Sequence, residues 1–178
     1  MNASTSIRSP AKLCYSPGHN SNTVMHPIDK KLQELNIKLP EISTPAGDYL
    51  PVTQHDGLLF VSGQFPKLNG ELLYQGQVGD KHDIESACQA AKLAALNVLS
   101  HLRASTNNWR QFGSLIRLEG HIASAPGWYE QPKVLDAASK LFKQVLGLQG
   151  QHSRTAFAPE QLPLNAMVEL VVTARQKF

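Results

Sequence analysis

The sequence predicts an α+β domain of order ββ-α-β-α-ββ, a single mixed sheet with two helices packed on one of its faces. Three observations carry that expectation. Two apolar stretches flank His55-Asp56-Gly57, a strong hairpin turn signal. Between 84 and 102 the residues Ile84, Cys88, Ala91, Ala95, Val98 and Leu102 recur at intervals of four and three, the spacing of one helix face. From Ser114 to Ser124 apolar and polar residues alternate, as on a strand with one face buried.

Taken in order, Ile28, Leu32, Leu35 and Leu39 form a short helical stripe that Pro40 halts. Two antiparallel strands follow, about 50–54 and 58–62, with Pro51 near the start of the first, where an edge strand tolerates a missing donor. KLNGELLYQGQVGD, residues 67–80, is a glycine-containing loop with a short strand around Leu72–Tyr74. It has neither the ending of a P-loop nor the context of a dinucleotide fingerprint, which argues against nucleotide binding. The long helix spans about 81–104, with Asp80 or Asp83 as its cap, and places Cys88 on its buried face as a small core residue. In SLIRLEGHIAS the alternation assigns Ile116, Leu118, Gly120 and Ile122 to the helix side. Leu115, Arg117, Glu119, His121 and Ala123 fall to the other side, where Arg117 and Glu119 suit a subunit contact. A second helix, about 130–146, opens with Pro132 in its first turn, carries the stripe Val134, Ala138, Leu141 and Val145, and stops at Gly147. Strands at about 153–158 and 166–174 complete the domain as a second hairpin-like pair. A sheet covered on one face leaves the other seeking a partner, and oligomerisation supplies one.

The totals narrow the function classes. A chain of 178 residues fits one domain with a tail, and seventeen Lys+Arg against fourteen Asp+Glu, spread along the chain, give a formal net charge of +3 with no basic block for nucleic acid. No apolar run reaches the roughly 18 residues of a membrane span. Cys14 and Cys88 lie in unlike contexts and form no C-x-x-C, which disfavours a disulfide and agrees with a cytoplasmic location. Residues 1–24 are Ser-, Asn- and Pro-rich and acid-free, the composition of a disordered tail. Residues 25–41 form a short helix and linker, and 42–178 the main domain.

Two charged residues stand where the pattern expects burial. HSRTAF, residues 152–157, sets a permanent cation, Arg154, at the start of a strand. It requires an anionic or hydrogen-bonding partner from its own chain, a neighbouring chain or a ligand. MVELVVTA, residues 167–174, places Glu169 opposite the apolar face formed by Val168, Leu170, Val172 and Ala174. There an acid is paired, shifted upward by desolvation or at the rim of a cleft. Were these two strands antiparallel neighbours, Arg154 and Glu169 could form a structural ion pair within one sheet or across a subunit boundary. His152, two residues from Arg154, shares its face and could lend an anion a second donor. The seven histidines show no metal-binding spacing, and Ser62 has no assignable base for a nucleophilic role.

VSGQ-P at 61–66, SR-A at 153–156 and the LP followed by an acid in the last strand resemble the RidA family of YjgF-type reactive-intermediate deaminases, once called L-PSP endoribonucleases. The likeness covers about residues 42–175 and points to a longer branch of that family. It implies a bacterial chorismate mutase-like fold assembled as a homotrimer with clefts between subunits. It also implies hydrolysis, without metal or organic cofactor, of a 2-imino or enamine acid such as 2-aminoacrylate, a product of dehydratases that use pyridoxal phosphate. Arg154 matches the arginine that clamps the substrate carboxylate, and Glu169 the acid that orients or activates water. Tyr49, Ser62 and Gly63 match positions lining the cleft. Ala156 stands where better-known members often have cysteine, and the helix-start asparagine of those members has no clear counterpart, Asp136 being the nearest polar residue. A non-catalytic trimeric protein binding small 2-oxo or amino acids is the alternative from another class. A ribonuclease is disfavoured by the modest charge.

Overall fold

The computed structural model describes residues 25–42, 45 and 47–177. The tail expected at 1–24, and Cys14 with it, lies outside the described residues. The first hairpin joins β1 (Val52–His55) to β2 (Leu58–Gln64). Its two-residue turn has φ of 47° at Asp56 and 75° at Gly57, the left-handed pair that an Asp-Gly turn supplies at little cost. Residues 67–72 form a second, two-residue-per-strand hairpin, β3 (Lys67–Leu68) and β4 (Glu71–Leu72), turning at Asn69-Gly70. The short strand expected at 72–74 therefore begins one residue earlier and ends at Leu72.

The long helix α2 (Ile84–Ser105) is capped by Asp83, whose carboxylate accepts from the Ser86 amide at 2.8 Å. Its buried surface is broader than the expected stripe and includes Ala87, Ala90 and Ala94 besides Ala91, Ala95, Val98 and Leu102. Cys88 is half-buried instead, its Sγ 4.0 Å from the Lys133 carbonyl. The alanine surface has turned toward the sheet and left Cys88 at the margin, where partial burial pushes its thiol up from the ordinary value. That agrees with an unreactive side chain. The second major helix, α3 (Gln131–Leu146), buries Val134, Ala138, Leu141 and Val145, and Gly147 ends it with a φ of 60°. An N-terminal helix, α1 (Pro27–Glu34), stops at Leu35 and Asn36 rather than at Pro40, because Asn36 takes a left-handed φ of 53° and turns the chain. Ile28 and Leu32 of α1 enter the same core as the sheet and the two long helices. Asp29 anchors α1 by accepting from Arg103 Nε at 2.9 Å and Trp109 Nε1 at 3.0 Å.

The central strands are β5 (Phe112–Ile122) and β7 (Val168–Gln176), with β6 (Ser153–Phe157) at an edge; the sheet order is β1-β2-β7-β5-β6. Two expectations change here. First, β6 does not form a hairpin with β7: it runs parallel to β5, and β5 separates the two. The strand β7, apolar at Val168, Leu170, Val172 and Ala174, takes the middle of the sheet, where both edges are paired and that inner face is fully buried. The short, polar β6 takes the edge, where such a strand is tolerated. Secondly, a β-bulge in β5 sets Leu115 opposite Ala174 and Arg117 opposite Thr173, so Ile116 is the extra residue. Leu115 consequently faces the core at 3% exposure and Ile116 faces out at 39%, the reverse of strict alternation. Beyond the bulge Leu118, Gly120 and Ile122 face the helices as expected. Gly120 lies so close beneath α3 that a Cβ there would stand 2.1 Å from Leu135 Cδ2.

Among the described residues the helices cover one face of the sheet only. The other carries Phe60, Ile116 and Phe157, all about 40% exposed or slightly more, among Arg117, Glu119, Thr155, His121, Glu169 and Thr173. Arg117 and Glu119 pair with each other in this single chain, Nε to Oε1 at 2.7 Å, and Arg117 Nη2 donates to Thr155 Oγ1 at 2.9 Å.

Candidate active site

The residues singled out from the sequence fall into two groups on opposite faces of the sheet. On the uncovered face, Glu169 sits at the start of β7, in register with His121 of β5. His121 stacks on Phe157 with ring centroids 4.7 Å apart. On its other side Glu169 meets β2, where a register shift between Val61 and Gln64 brings in Gly63. A Cβ built on Gly63 would lie 1.8 Å from Glu169 Oε1, so the carboxylate occupies the space that the missing side chain leaves. Burial pushes the Glu169 carboxyl above its ordinary value, and His121 opposes that rise only in part. Ser62 Oγ donates to the Leu50 carbonyl at 2.8 Å and its amide to the Pro51 carbonyl at 3.0 Å, which ties β2 to the loop holding the half-exposed Tyr49.

On the covered side, Arg154 is in register with Leu118 and points toward α3 at the sheet edge. Its partner is not Glu169. Nη2 lies 2.7 Å from Asp136 Oδ1 and donates to the Pro132 carbonyl at 3.2 Å, and Nη1 donates to Ser139 Oγ at 3.1 Å. Ala156, two residues on, shares that face and packs against the core. His152 is no free second donor: its ring nitrogens are engaged by Ser139 Oγ at 3.0 Å and the Gly150 carbonyl at 2.7 Å. The answer to the buried cation thus begins with its own chain. The sequence marked Asp136 only as the polar residue nearest the missing asparagine; Ser139 was reachable only through spacing, three residues from Asp136 on one side of a helix.

A groove of about 680 Å³ lies elsewhere, between α1 and the second half of α2, and includes Asp29, Lys38, Arg103 and Arg110. Its one acid, Asp29, is already committed to Arg103 and Trp109, so volume alone does not make it the reactive site.

The closeness of Gly63 and Glu169 gives a direct expectation. In Gly63→Ala the backbone can stay, because the atom met is the end of a flexible side chain, and the Glu169 carboxylate must leave its position. Thermal unfolding should shift by no more than a few degrees while activity falls as far as in a Glu169 variant. A collapse in stability would instead place the constraint in the backbone.

Comparison with known proteins agrees with this architecture. The family described as "YjgF/chorismate mutase-like, putative endoribonuclease" matches residues 29–175. Protein TCP17 of Trypanosoma cruzi is 34% identical over 144 residues, covering 80% of this chain and 90% of that protein. Among solved structures, the protein Atu1372 from Agrobacterium tumefaciens, described as of unknown function, is 37% identical with a TM-score of 0.79, over 85% of this chain and 93% of that one. A Shewanella oneidensis protein carrying the same endoribonuclease description is 33% identical with a TM-score of 0.80, over 83% and 98%. E. coli TdcF with bound serine, at 18% identity and a TM-score of 0.54 over 79% and 99%, shares the fold. With the family matching nearly all of the described residues, and the overall fold shared with solved relatives more than 30% identical, the chain belongs to the YjgF/chorismate mutase-like family.

Proposed function

We propose that the protein hydrolyses a small enamine or imine acid of the 2-aminoacrylate type to a 2-oxo acid and ammonia, at clefts between the copies of a homotrimer. The observation that carries this reading is Glu169, a carboxyl held partly out of water on the uncovered sheet face, in a space made by Gly63. A carboxyl raised in this direction holds a proton more readily than an exposed one, which suits the handling of one water and one leaving amine. Arg154 supplies a planar fork for a carboxylate once its ion pair with Asp136 opens and the ligand takes the acid's place, which fixes where the imine carbon stands. An enamine first takes a proton at its methylene carbon and gives one up from nitrogen to become the imine; water then adds to the imine carbon to give a carbinolamine, whose hydroxyl proton and C–N electron pair leave with ammonia as the C=O forms.

Arg154 and Glu169 lie on opposite faces and are separated by β5, so within one chain they do not converge on a small acid. Two copies joined through the uncovered face would bring the Glu169 group of one to the β6 edge of the next. The exposed Phe60, Ile116 and Phe157 favour that contact.

The test generates 2-aminoacrylate with a dehydratase and follows pyruvate, alongside the solution mass of the protein. Acceleration above background by a trimer is the expected result. Background hydrolysis unchanged by the protein overturns the catalytic reading, and binding of 2-oxobutyrate in that case marks a carboxylate-binding protein. A monomer removes the intersubunit cleft.

A further inference from the structure

The hydrogen bonds behind Arg154 have a determined direction. A carbonyl only accepts, so the His152 Nδ1 at 2.7 Å from the Gly150 oxygen carries the hydrogen. In the neutral ring Nε2 is then the acceptor, and the Ser139 hydroxyl at 3.0 Å points its hydrogen there. A guanidinium only donates, so the Ser139 oxygen receives Arg154 Nη1 at 3.1 Å. The chain runs from arginine to serine to histidine to a backbone carbonyl, with each hydrogen assigned. His152 is fixed besides by an edge-on contact with Phe142, centroids 5.8 Å apart.

We propose that Ser139 and His152 are positioning residues that hold the Arg154 guanidinium for a ligand carboxylate, and that they do so only while His152 is neutral. The proposal rests on the reading of Arg154 as a carboxylate clamp. Protonating His152 turns Nε2 into a donor, forces the Ser139 hydroxyl to find another acceptor, and leaves a second cation one hydroxyl away from Arg154. The charged groups around the ring are Arg154 on β6, with Asp136 bound to it, and Lys143 on α3. Desolvation first, then Arg154 and Lys143, favour the neutral ring, and the Gly150 bond opposes them. The relay should therefore be intact at neutral pH and fail below the ordinary histidine range.

The experiment measures 2-oxobutyrate affinity by calorimetry from pH 8 down to pH 4.5, to reach below a lowered histidine titration, and reads the His152 ring nitrogens by 15N NMR, on the full chain. The wild type should show the Nδ1–H tautomer at neutral pH and lose affinity on acidification. Ser139→Ala should weaken binding about five-fold at neutral pH, one hydrogen bond's worth, and flatten the acid loss. His152→Gln, whose amide oxygen can accept from Ser139 at any pH, should bind nearly normally and also lose the acid dependence. An Nε2–H tautomer, or an unchanged affinity and pH profile in Ser139→Ala, overturns the relay. Should 2-oxobutyrate not bind while the tautomer is as expected, the relay's role in clamping is overturned. Binding without turnover refutes the deaminase reading and leaves the relay standing.

Discussion

Glu169→Gln should lower the rate of imine hydrolysis by about 100-fold or more, the usual contribution of a positioned acid or base, without costing stability at neutral pH. Glutamine keeps the shape of the side chain beside Gly63 and removes only the proton exchange and the charge. The stability prediction follows from linkage. The folded carboxyl titrates above its ordinary value because of burial, so below that ordinary value both states are protonated and Glu169 costs the fold nothing. As pH rises from there through the folded value, the unfolded chain ionises first, and the associated stability declines until it is fully lost. The variant carries no such loss. Urea unfolding at pH 4 and at pH 7.5 should therefore show the variant gaining on the wild type as pH rises. A variant less stable than the wild type at pH 7.5 would identify Glu169 as a paired structural acid and remove its catalytic role.

Replacing Arg154 should separate binding from folding in a different way. A carboxylate held by two parallel charge-assisted hydrogen bonds loses about 3 kcal/mol when both are removed, so Arg154→Ala should raise KM about 100-fold. Arg154→Lys, with a point charge in place of a fork, should fall between the two. The stability change should be small by comparison. Asp136 is 48% exposed and Arg154 28%, and a pair so open to solvent contributes no more than about 1 kcal/mol. Added guanidinium ion should restore part of the Arg154→Ala activity. If KM stays unchanged while stability drops, Arg154 is a tie between β6 and α3 and nothing more.

Much of the fold was readable because its determinants are local. Asp56-Gly57 encodes its own turn, and α2 declares itself by spacing. What escaped were facts about neighbours. Nothing in SRTAF states that its strand lies beside β5 rather than β7, because a short polar strand suits any edge. The bulge at Ile116 was hidden because alternation is read by assuming regular pairing, and the irregularity belongs to the pair β5–β7 rather than to either sequence. The candidate site shares this limit. Glu169 stood out as an acid in an apolar strand, and Arg154 as a cation ahead of one. Asp136 and Ser139 became its partners, with His152 bonded to Ser139 behind them, only when β6 settled next to α3.

The placement of Arg154 and Glu169 on opposite sides of one sheet has a genetic corollary. In the proposed assembly each reaction centre draws its clamp from one gene product and its acid from another. Two inactive alleles, one lacking the arginine and one lacking the glutamate, would then complement each other when co-expressed. Wherever the chain with the intact arginine adjoins the chain with the intact glutamate in the required order, a whole centre is reconstituted. Heredity at this locus would follow the ring rather than the polypeptide.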